Sequence, residues 1–281
     1  DSACSLPPVS IKPFLIKEIE SQTKKLALAL KVKGFMNVQF AIKNDKIFVI
    51  EVNPRASRTV PFVSKAKNLP LAKIASRVMA GEKLSKFNLK TKTKKMFAVK
   101  EAVFPFNKFP NSDLLLGPEM KSTGEVMGFD ENFGMAFAKS QIAASNSLPT
   151  KGLAFISLKN SHKSEGVALA KQLSKLNFKL CGTGGTADYI SNHGIKCKKI
   201  NKVNQGSPHI VDILNAKKIA LVINTGGGNS EKQLNDALAL RRATLANKVP
   251  YCTNMSTAQV CIEGIKSLKN KEIKVTSLQD I

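Results

Sequence analysis

The second half of the chain alternates between short apolar segments and amphipathic ones, and this alternation limits the possible folds more than any other feature. Apolar segments begin near residues 152, 178, 195, 218 and 249, and a helical pattern follows each of them. Strands that alternate with helices form a parallel, doubly wound sheet, because each helix carries the chain back across one face of the sheet. The sequence therefore predicts an α/β domain over residues 147–281, separated from residues 1–146 at the polar, proline-containing segment 145–151.

Three of these apolar segments end in residues that suit an anionic ligand. Ser157 with Lys163 follows the first segment, the loop 183–186 follows the second, and the glycine-rich loop 224–228 follows the fourth. In such sheets ligands bind at the carboxyl ends of the strands, and short glycine loops that open helices present N–H groups to phosphate. A single glycine loop can be merely a turn. Three such loops together with a lysine predict a pocket for a phosphorylated ligand.

A second feature lies in residues 46–53, where an apolar strand changes abruptly to charged and amide side chains. Because side chains alternate along a strand, Glu51 and Asn53 are expected on one face, and Phe48, Ile50 and Val52 on an opposite, buried face. Carboxylate and amide oxygens are ligands that suit Mg²⁺.

The partner of this strand is predicted in residues 35–42, with the turn-rich residues 43–45 between the two. Gln39 lies opposite Glu51 if the loop of the hairpin is odd in length or bulged, and on the other face if the loop has two residues. Since Gln39 is a polar residue between apolar neighbours, we favour the first arrangement.

The residues after the strand favour a site over a plain strand end. Pro54 has no N–H to donate and therefore ends the hydrogen-bonded ladder. Arg55 and Arg58 follow, and their guanidinium groups match phosphate or carboxylate oxygens. A surface salt bridge is the simpler alternative, but only five of the 44 basic residues are arginines and two of them lie here.

Composition excludes several other classes of protein. The formal net charge of +24 comes from lysines spread along the whole chain, and no nucleic-acid-binding motif accompanies them, so we expect no specific nucleic-acid partner. No apolar run reaches membrane-spanning length, and because residues 1–10 lack a basic region followed by a hydrophobic one, we expect no export signal. Five scattered cysteines argue against a disulfide framework or a structural zinc site and for a reducing cytoplasm.

Five segments together resemble the ATP-grasp ligases, and within them the family of carbamoyl phosphate synthetase large subunits. They read DSACSLP, KGFMNVQFAIKNDKIFVIEVNPRASRTVPFVSKA, LPLAKIASRVMAG, VKEAVFPFNKFP and LLGPEMKSTGEVMG. The resemblance implies that residues 1–146 form the C-terminal lobe of a carbamate-phosphorylating ATP-grasp domain, with a mainly antiparallel sheet and helices. It implies that residues 147–281 form a methylglyoxal-synthase-like allosteric domain.

The resemblance also implies roles for particular residues. Gln39, Glu51 and Asn53 would bind the ATP phosphates through two divalent ions, Mg or Mn, with potassium a further candidate, and Arg55 and Arg58 would face phosphate and carbamate. In members regulated by ornithine, a further site corresponds to Asp1, Glu101 and Thr253. The residues that match contacts to the phosphate of an allosteric effector are Ser157, Lys163, Thr183, Thr186, Asn224 and Thr225.

The implied partners are a glutaminase small subunit that supplies ammonia, the rest of a large subunit and a phosphorylated nucleotide effector. The implied pathways are arginine and pyrimidine biosynthesis. The family's other regions precede the residue that matches Asp1, so we expect a C-terminal fragment that is inactive alone. Gly226 stands where the family commonly has a polar residue, which leaves the effector's identity open.

Two alternatives are a non-catalytic nucleotide-binding regulatory module and a lyase. The resemblance implies that the lyase after which the methylglyoxal-synthase-like domain is named needs an acidic base in the glycine-rich loop that begins at residue 224. Asn229 is no base, and Glu231 is expected to lie already in a helix. We therefore favour a regulatory role over a lyase for this domain.

Overall fold

The computed structural model describes residues 2–89, 96–104, 121–226 and 231–280. The chain forms two compact units: a larger one of Asp1–Cys4 and Val99–Ile273, and a smaller one of Ser5–Ala98 and Lys274–Ile281. The boundary predicted between residues 146 and 147 lies within the larger unit and stays a prediction. Across the described ranges, every helix is too short or too polar to cross a membrane.

The helices and strands follow one another along the chain in an order that separates two fold types. An antiparallel hairpin with helices comes first, and strands that alternate with helices come later. In chain order, the elements are β1 (Cys4–Leu6), α1 (Pro13–Ala29), β2 (Asn37–Lys43), β3 (Lys46–Asn53), α2 (Val60–Lys67), α3 (Leu71–Met79), β4 (Phe97–Val103), β5 (Gly124–Asp130), α4 (Phe133–Ala143), β6 (Gly152–Ser157), α5 (Lys163–Lys175), β7 (Phe178–Thr183), α6 (Gly184–Asn192), β8 (Cys197–Ile200), α7 (Ile210–Asn215), β9 (Ile219–Asn224), α8 (Glu231–Ala246), β10 (Tyr251–Cys252) and α9 (Met255–Asn270).

The hairpin of β2 and β3 is closed by a two-residue turn and contains a bulge. Asn44 and Asp45 both have positive φ, 51° and 59°, as the type I′ turn of a two-residue hairpin requires. The pairing is regular from Lys43↔Lys46 to Phe40↔Val49, and it then shifts so that Gln39 lies opposite Glu51. The extra residue is Ile50. Gln39 therefore faces Glu51, as predicted, and the cause is a bulge within the strand and not the length of the loop.

The bulge also overturns the prediction that Phe48, Ile50 and Val52 share one buried face. Phe48 pairs with Ala41, which lies two residues from Gln39 and hence on the face of Gln39 and Glu51. Phe48 is 49% exposed and Ile50 is 62% exposed. The apolar face that the hairpin does shield is made by half-buried side chains, Val38, Phe40, Ile42, Ile47 and Val52.

The larger unit contains a five-stranded parallel sheet in the order β10-β9-β6-β7-β8. The first strand along the chain, β6, lies in the middle, the next two extend the sheet on one side, and the last two extend it on the other. The sheet is therefore doubly wound, which confirms the predicted fold class. The strand order reverses between β6 and β9, where Ser157 pairs with Asn224.

The core of this unit forms around β6 and β9, which are apolar almost throughout because helices cover both faces of the sheet. Phe155 of β6 and Val222 of β9 are fully buried within one cluster with Leu214 of α7 and Leu240 of α8. All five cysteines of the chain are unbridged thiols, including Cys252 and Cys261, whose Sγ atoms lie 3.4 Å apart in the interior.

Helix α4 packs against α9 within the same unit, and glycine permits their close approach. A Cβ atom on Gly134 would lie 2.5 Å from Oγ of Ser267 and 2.6 Å from the carbonyl oxygen of Glu263. Asn132 caps α4, since its Oδ1 accepts a hydrogen bond from the Met135 N–H at 2.9 Å. The same oxygen accepts one from Ser267 Oγ at 2.7 Å, so the cap also joins the two helices.

Candidate ligand-binding sites

The first candidate site lies at the end of the hairpin in the smaller unit. Gln39 Nε2 and Asn53 Nδ2 both donate hydrogen bonds to the same carboxylate oxygen, Glu51 Oε1, each at 2.8 Å. Gln39 and Glu51 are exposed, and Asn53 is half-buried. The hairpin therefore brings the three predicted residues together on one accessible face. Their role as ligands stays a prediction.

The two arginines follow directly after this face. Strand β3 ends at Asn53, and Pro54 begins the irregular segment that follows. Both arginine side chains are exposed. The Arg55 backbone N–H donates to the Asn53 carbonyl at 2.8 Å, and its Nη1 donates to the Ala56 carbonyl at 3.1 Å. Arg58 lies one residue before Thr59, the N-cap of α2.

The chemistry of this face suits a hard divalent cation. Each amide group of Gln39 and Asn53 carries a carbonyl oxygen beside the N–H₂ that now contacts Glu51, and rotation of the amide can present that oxygen. One carboxylate with two amide oxygens is a donor set of the type that Mg²⁺ accepts. Within the described ranges, no three His, Cys, Asp or Glu side chains cluster in a way that could hold a metal ion.

The second candidate site is a cavity of about 440 Å³ at the carboxyl ends of the parallel strands in the larger unit. It opens where the strand order reverses between β6 and β9, the position at which such sheets bind ligands. Thr225 of the predicted set does not line it, although the next residue, Gly226, does. The predicted residues that line it are Ser157, Lys163, Thr183, Thr186 and Asn224.

Positive charge lies close to the first N–H groups of a helix at the start of α6. Thr183 is the N-cap of this helix, but its side chain makes no capping bond, and its Oγ1 lies 3.2 Å from Ser157 Oγ instead. A Cβ atom on Gly185 would lie 3.3 Å from Nζ of Lys163. The ammonium group therefore lies directly over the first turn of α6, where the helix dipole also favours an anion.

The hydroxyl of Thr186 has a structural partner. Thr186 Oγ1 accepts a hydrogen bond from the Leu158 N–H at 3.0 Å, and only 2% of the residue is exposed. This bond holds the end of β6 against α6, so Thr186 shapes the cavity wall between the two elements.

Asn224 and Gly226 line the cavity on the β9 side, and Thr225 between them does not. Asn224 Oδ1 accepts a hydrogen bond from the Gly226 N–H at 3.0 Å, and its Nδ2 donates to Tyr251 Oη at 2.9 Å. The Thr225 N–H donates to the Ser157 carbonyl at 3.0 Å, and Thr225 Oγ1 accepts from the Lys159 N–H at 3.4 Å. Gly227 and Gly228 of the predicted loop lie outside the described residues, as does Asn229. Glu231 begins α8, as predicted.

The sequence analysis missed part of the cavity lining. Lys202 follows β8 closely, so the rule that selected the other strand ends would have found it. Asp236 projects from α8, and no pattern in the sequence connects that helix with the strand ends. Beside these two polar residues, the lining includes apolar side chains that give the cavity a second, non-polar region, Phe155, Val203, Ile210 and Leu240.

Two residues of the ornithine set that the resemblance implies, Glu101 and Thr253, lie in different parts of the larger unit. Glu101 lies in β4, where its Oε2 accepts a hydrogen bond from Gln141 Nε2 at 2.6 Å. Burial raises the pKa of this carboxyl, and the bond from Gln141 opposes the shift only in part. Thr253 is exposed after β10, and no hydrogen bond between described residues joins it to Glu101. Asp1 lies outside the described residues, so this site stays a prediction.

Comparison with known proteins gives matches to both halves of the chain. Residues 3–87 match the family described as carbamoyl-phosphate synthase L chain, ATP binding domain, and residues 165–253 match the MGS-like domain. The carbamoyl phosphate synthase large chain of Rhizobium meliloti (strain 1021) is 50% identical over 285 residues, which cover 99% of this chain and 24% of that protein. The large chain of Methanobrevibacter smithii is 49% identical, with 100% of this chain and 26% of that protein covered.

A further relative is the carbamoyl phosphate synthase large chain, C-terminal section, of Aquifex aeolicus (strain VF5). It is 45% identical over 303 residues, which cover 100% of this chain and 56% of that protein. The chain thus spans about a quarter of the length of the full large chains that it matches. Among solved structures, methylglyoxal synthase from Elizabethkingia anophelis NUHP1 aligns with a TM-score of 0.35 and 15% identity, covering 46% of this chain and 97% of that one.

The two matched domains define a class of protein in which an ATP-binding domain of the carbamoyl-phosphate synthase L chain is followed by an MGS-like domain. The chain belongs to the carbamoyl phosphate synthase large-chain family. Within that family it corresponds to the C-terminal section.

Proposed function

We propose that the chain takes part in the ATP-dependent phosphorylation of carbamate to carbamoyl phosphate and that its larger unit binds a phosphorylated effector. The observation that carries the catalytic part is the convergence of Gln39 and Asn53 on Glu51 Oε1. A strand bulge is needed to bring Gln39 to that face, and the result is a compact set of oxygen-bearing side chains beside two arginines.

In this proposal Gln39, Glu51 and Asn53 hold two divalent ions, Mg or Mn, against the phosphates of ATP. When bound, these ions neutralise the charge that develops on the transferred phosphoryl group. Arg55 and Arg58 bind and orient phosphate and carbamate oxygens, for which their planar, permanently charged groups are suited. A requirement for potassium stays a prediction.

The proposed partners are those that the family resemblance implies, and the large-chain names of the relatives support them. They are the rest of a large chain and a glutamine-hydrolysing small subunit that supplies ammonia. We expect the chain alone to make no carbamoyl phosphate, since two arginines and an exposed hairpin do not enclose ATP or exclude water from it.

The test of the catalytic part is a chimera in which this chain replaces the matching part of the Rhizobium meliloti large chain, since the two are 50% identical there. Glu51→Gln in the chimera is expected to lower the rate of carbamoyl phosphate formation by about 100-fold or more, the size of effect seen when one electrostatic stabiliser is removed. The control is Glu20→Gln on the exposed surface of α1. An unchanged rate in Glu51→Gln would contradict the proposal.

A second candidate function is a nucleotide-binding regulatory module without catalysis, and the cavity at the strand ends favours it. Lys163 over the start of α6 provides the charge for a phosphate, and the apolar part of the lining provides space for a base or sugar. Calorimetry on the complete chain with inorganic phosphate, AMP and UMP tests this function. If the chain binds one of these compounds and the chimera makes no carbamoyl phosphate, the regulatory module is favoured over the ligase. No binding at millimolar concentration would remove the effector proposal.

A further inference from the structure

We propose that Tyr251 is a positioning residue for the anion site of the larger unit. Its hydroxyl fixes the orientation of the Asn224 amide, and through that amide it fixes the backbone at Gly226. The inference rests on the proposed effector function, and it adds a residue that does not line the cavity.

The orientation of the Asn224 amide follows from its partners. The Gly226 N–H can only donate, so the atom of Asn224 that faces it at 3.0 Å is the oxygen, Oδ1. The nitrogen, Nδ2, then lies on the other side and donates to Tyr251 Oη at 2.9 Å. Asn224 is only 6% exposed, so these two bonds satisfy a side chain that has little access to water.

The two bonds form a continuous connection from β10 to the wall of the cavity. Tyr251 is held by the pairing of β10 with β9, where it lies opposite Val222. From there its hydroxyl reaches the last residue of β9, and Asn224 in turn holds the N–H of Gly226. Both Asn224 and Gly226 line the cavity.

Without the hydroxyl, one N–H of Asn224 loses its acceptor inside the protein. A buried amide that loses a partner gains by turning toward another one. Any such rotation takes Oδ1 away from Gly226, and the geometry of the wall changes with it. The other anchor of this loop, from the Thr225 N–H to the Ser157 carbonyl, remains, so we expect a partial loss of affinity.

The test is Tyr251→Phe in the complete chain, with the affinity for inorganic phosphate, AMP and UMP measured by calorimetry. Loss of one neutral hydrogen bond predicts binding about three- to tenfold weaker. The matched control is Tyr189→Phe, since Tyr189 is the chain's other tyrosine. That variant loses a hydroxyl but keeps the ring, which lies 5.9 Å from Lys163 Nζ. Its affinity is expected to change by less than about twofold.

A double-mutant cycle shows whether Tyr251 acts through Asn224. In an Asn224→Ala background, Tyr251→Phe should have no further effect on affinity, because the group that it orients is gone. An equal loss in both backgrounds would overturn the inference. Should Asn224→Ala fail to fold, the side-chain amide and Gly226 N–H resonances in Tyr251→Phe replace it. Unmoved resonances would overturn the inference, and displaced ones would support it.

These outcomes separate the inference from the function on which it rests. If the unaltered chain binds a phosphate compound and Tyr251→Phe binds it equally well, only the role of Tyr251 is overturned. If the unaltered chain binds none of the three compounds, the effector site is overturned and the inference falls with it.

Discussion

At the residue scale, the anion site depends on a lysine that has room to lie over a helix start. Nζ of Lys163 approaches Gly185 so closely that a side chain there would press on it, since the added Cβ would be 3.3 Å away. The glycines of this loop thus do more than turn the chain, because they leave space for a cation beside the first N–H groups of α6. Lys163 also begins α5 itself, so its backbone position is fixed by a helix of 13 residues.

Lys163→Ala is expected to weaken the binding of a phosphate monoester about 10- to 150-fold, which corresponds to about 1.5–3 kcal/mol for a charge-assisted hydrogen bond. Calorimetry with the nucleotide that binds the unaltered chain most tightly measures this loss. The control is Lys171→Ala, an exposed lysine farther along the same helix. Equal affinities for the unaltered chain and Lys163→Ala would mean that the glycine loops are only turns.

The residues of this site could be predicted from the sequence where they end a strand or lie in the first turn of the helix that follows, as Lys163 and Thr186 do. Ser157, Thr183 and Asn224 are the last residues of β6, β7 and β9. Asp236 reaches the cavity from the middle of a helix, and Tyr251 acts from a neighbouring strand. Their positions depend on how the helices and the edge strand pack on the sheet, and this packing leaves no local pattern.

At the element scale, the hairpin shows a limit of counting residues along a strand. The count shows that an extra residue is needed if Gln39 is to face Glu51, but it does not show where that residue lies. The polar Gln39 between apolar neighbours indicated correctly that it faces Glu51. The location of the extra residue could not be predicted, because a bulge in the strand and a loop of odd length both place Gln39 opposite Glu51. Asn44 and Asp45 accept positive φ well, which permits the tight turn and moves the irregularity into β3, to Ile50.

The contact between α4 and α9 is a second property of elements that depends on one residue. Gly134→Ala is expected to lower the free energy of unfolding by about 1–3 kcal/mol, because the new methyl group would overlap Ser267 and the Glu263 carbonyl. Urea denaturation of the complete chain measures the change. The matched control is Gly124→Ala in the same unit, where an added Cβ meets nothing within 4 Å. Equal stability of the two variants would show that the helices can separate at little cost.

At the scale of the whole molecule, the fold class could be predicted because alternation of strands and helices admits few solutions. The doubly wound order of the sheet follows from the same alternation of strands and helices. Right-handed crossovers on both sides of β6 create the reversal of strand order beside β9. The alternation of strands and helices does not predict which face of the β2–β3 hairpin is buried. Simple alternation places Phe48 and Ile50 on a buried face, but the bulge at Ile50 interrupts the alternation and leaves Phe48 on the face of Glu51.

The net charge of +24 is also a property of the whole molecule, and it leads to a prediction about ionic strength. Raising NaCl from 0.1 M to 1 M shortens the screening length from about 10 Å to about 3 Å, which removes attraction from distant lysines more than a direct contact. Binding of AMP or UMP to the complete chain is therefore expected to weaken with salt. The affinity of the Lys163→Ala variant for the nucleotide should also fall as salt is added, because the excess of basic residues remains. Uncharged adenosine or uridine serves as the control, and calorimetry at both salt concentrations measures the affinities. If the affinity of the nucleotide stays constant, the charge of the chain contributes nothing to the site, and recognition depends on local contacts alone.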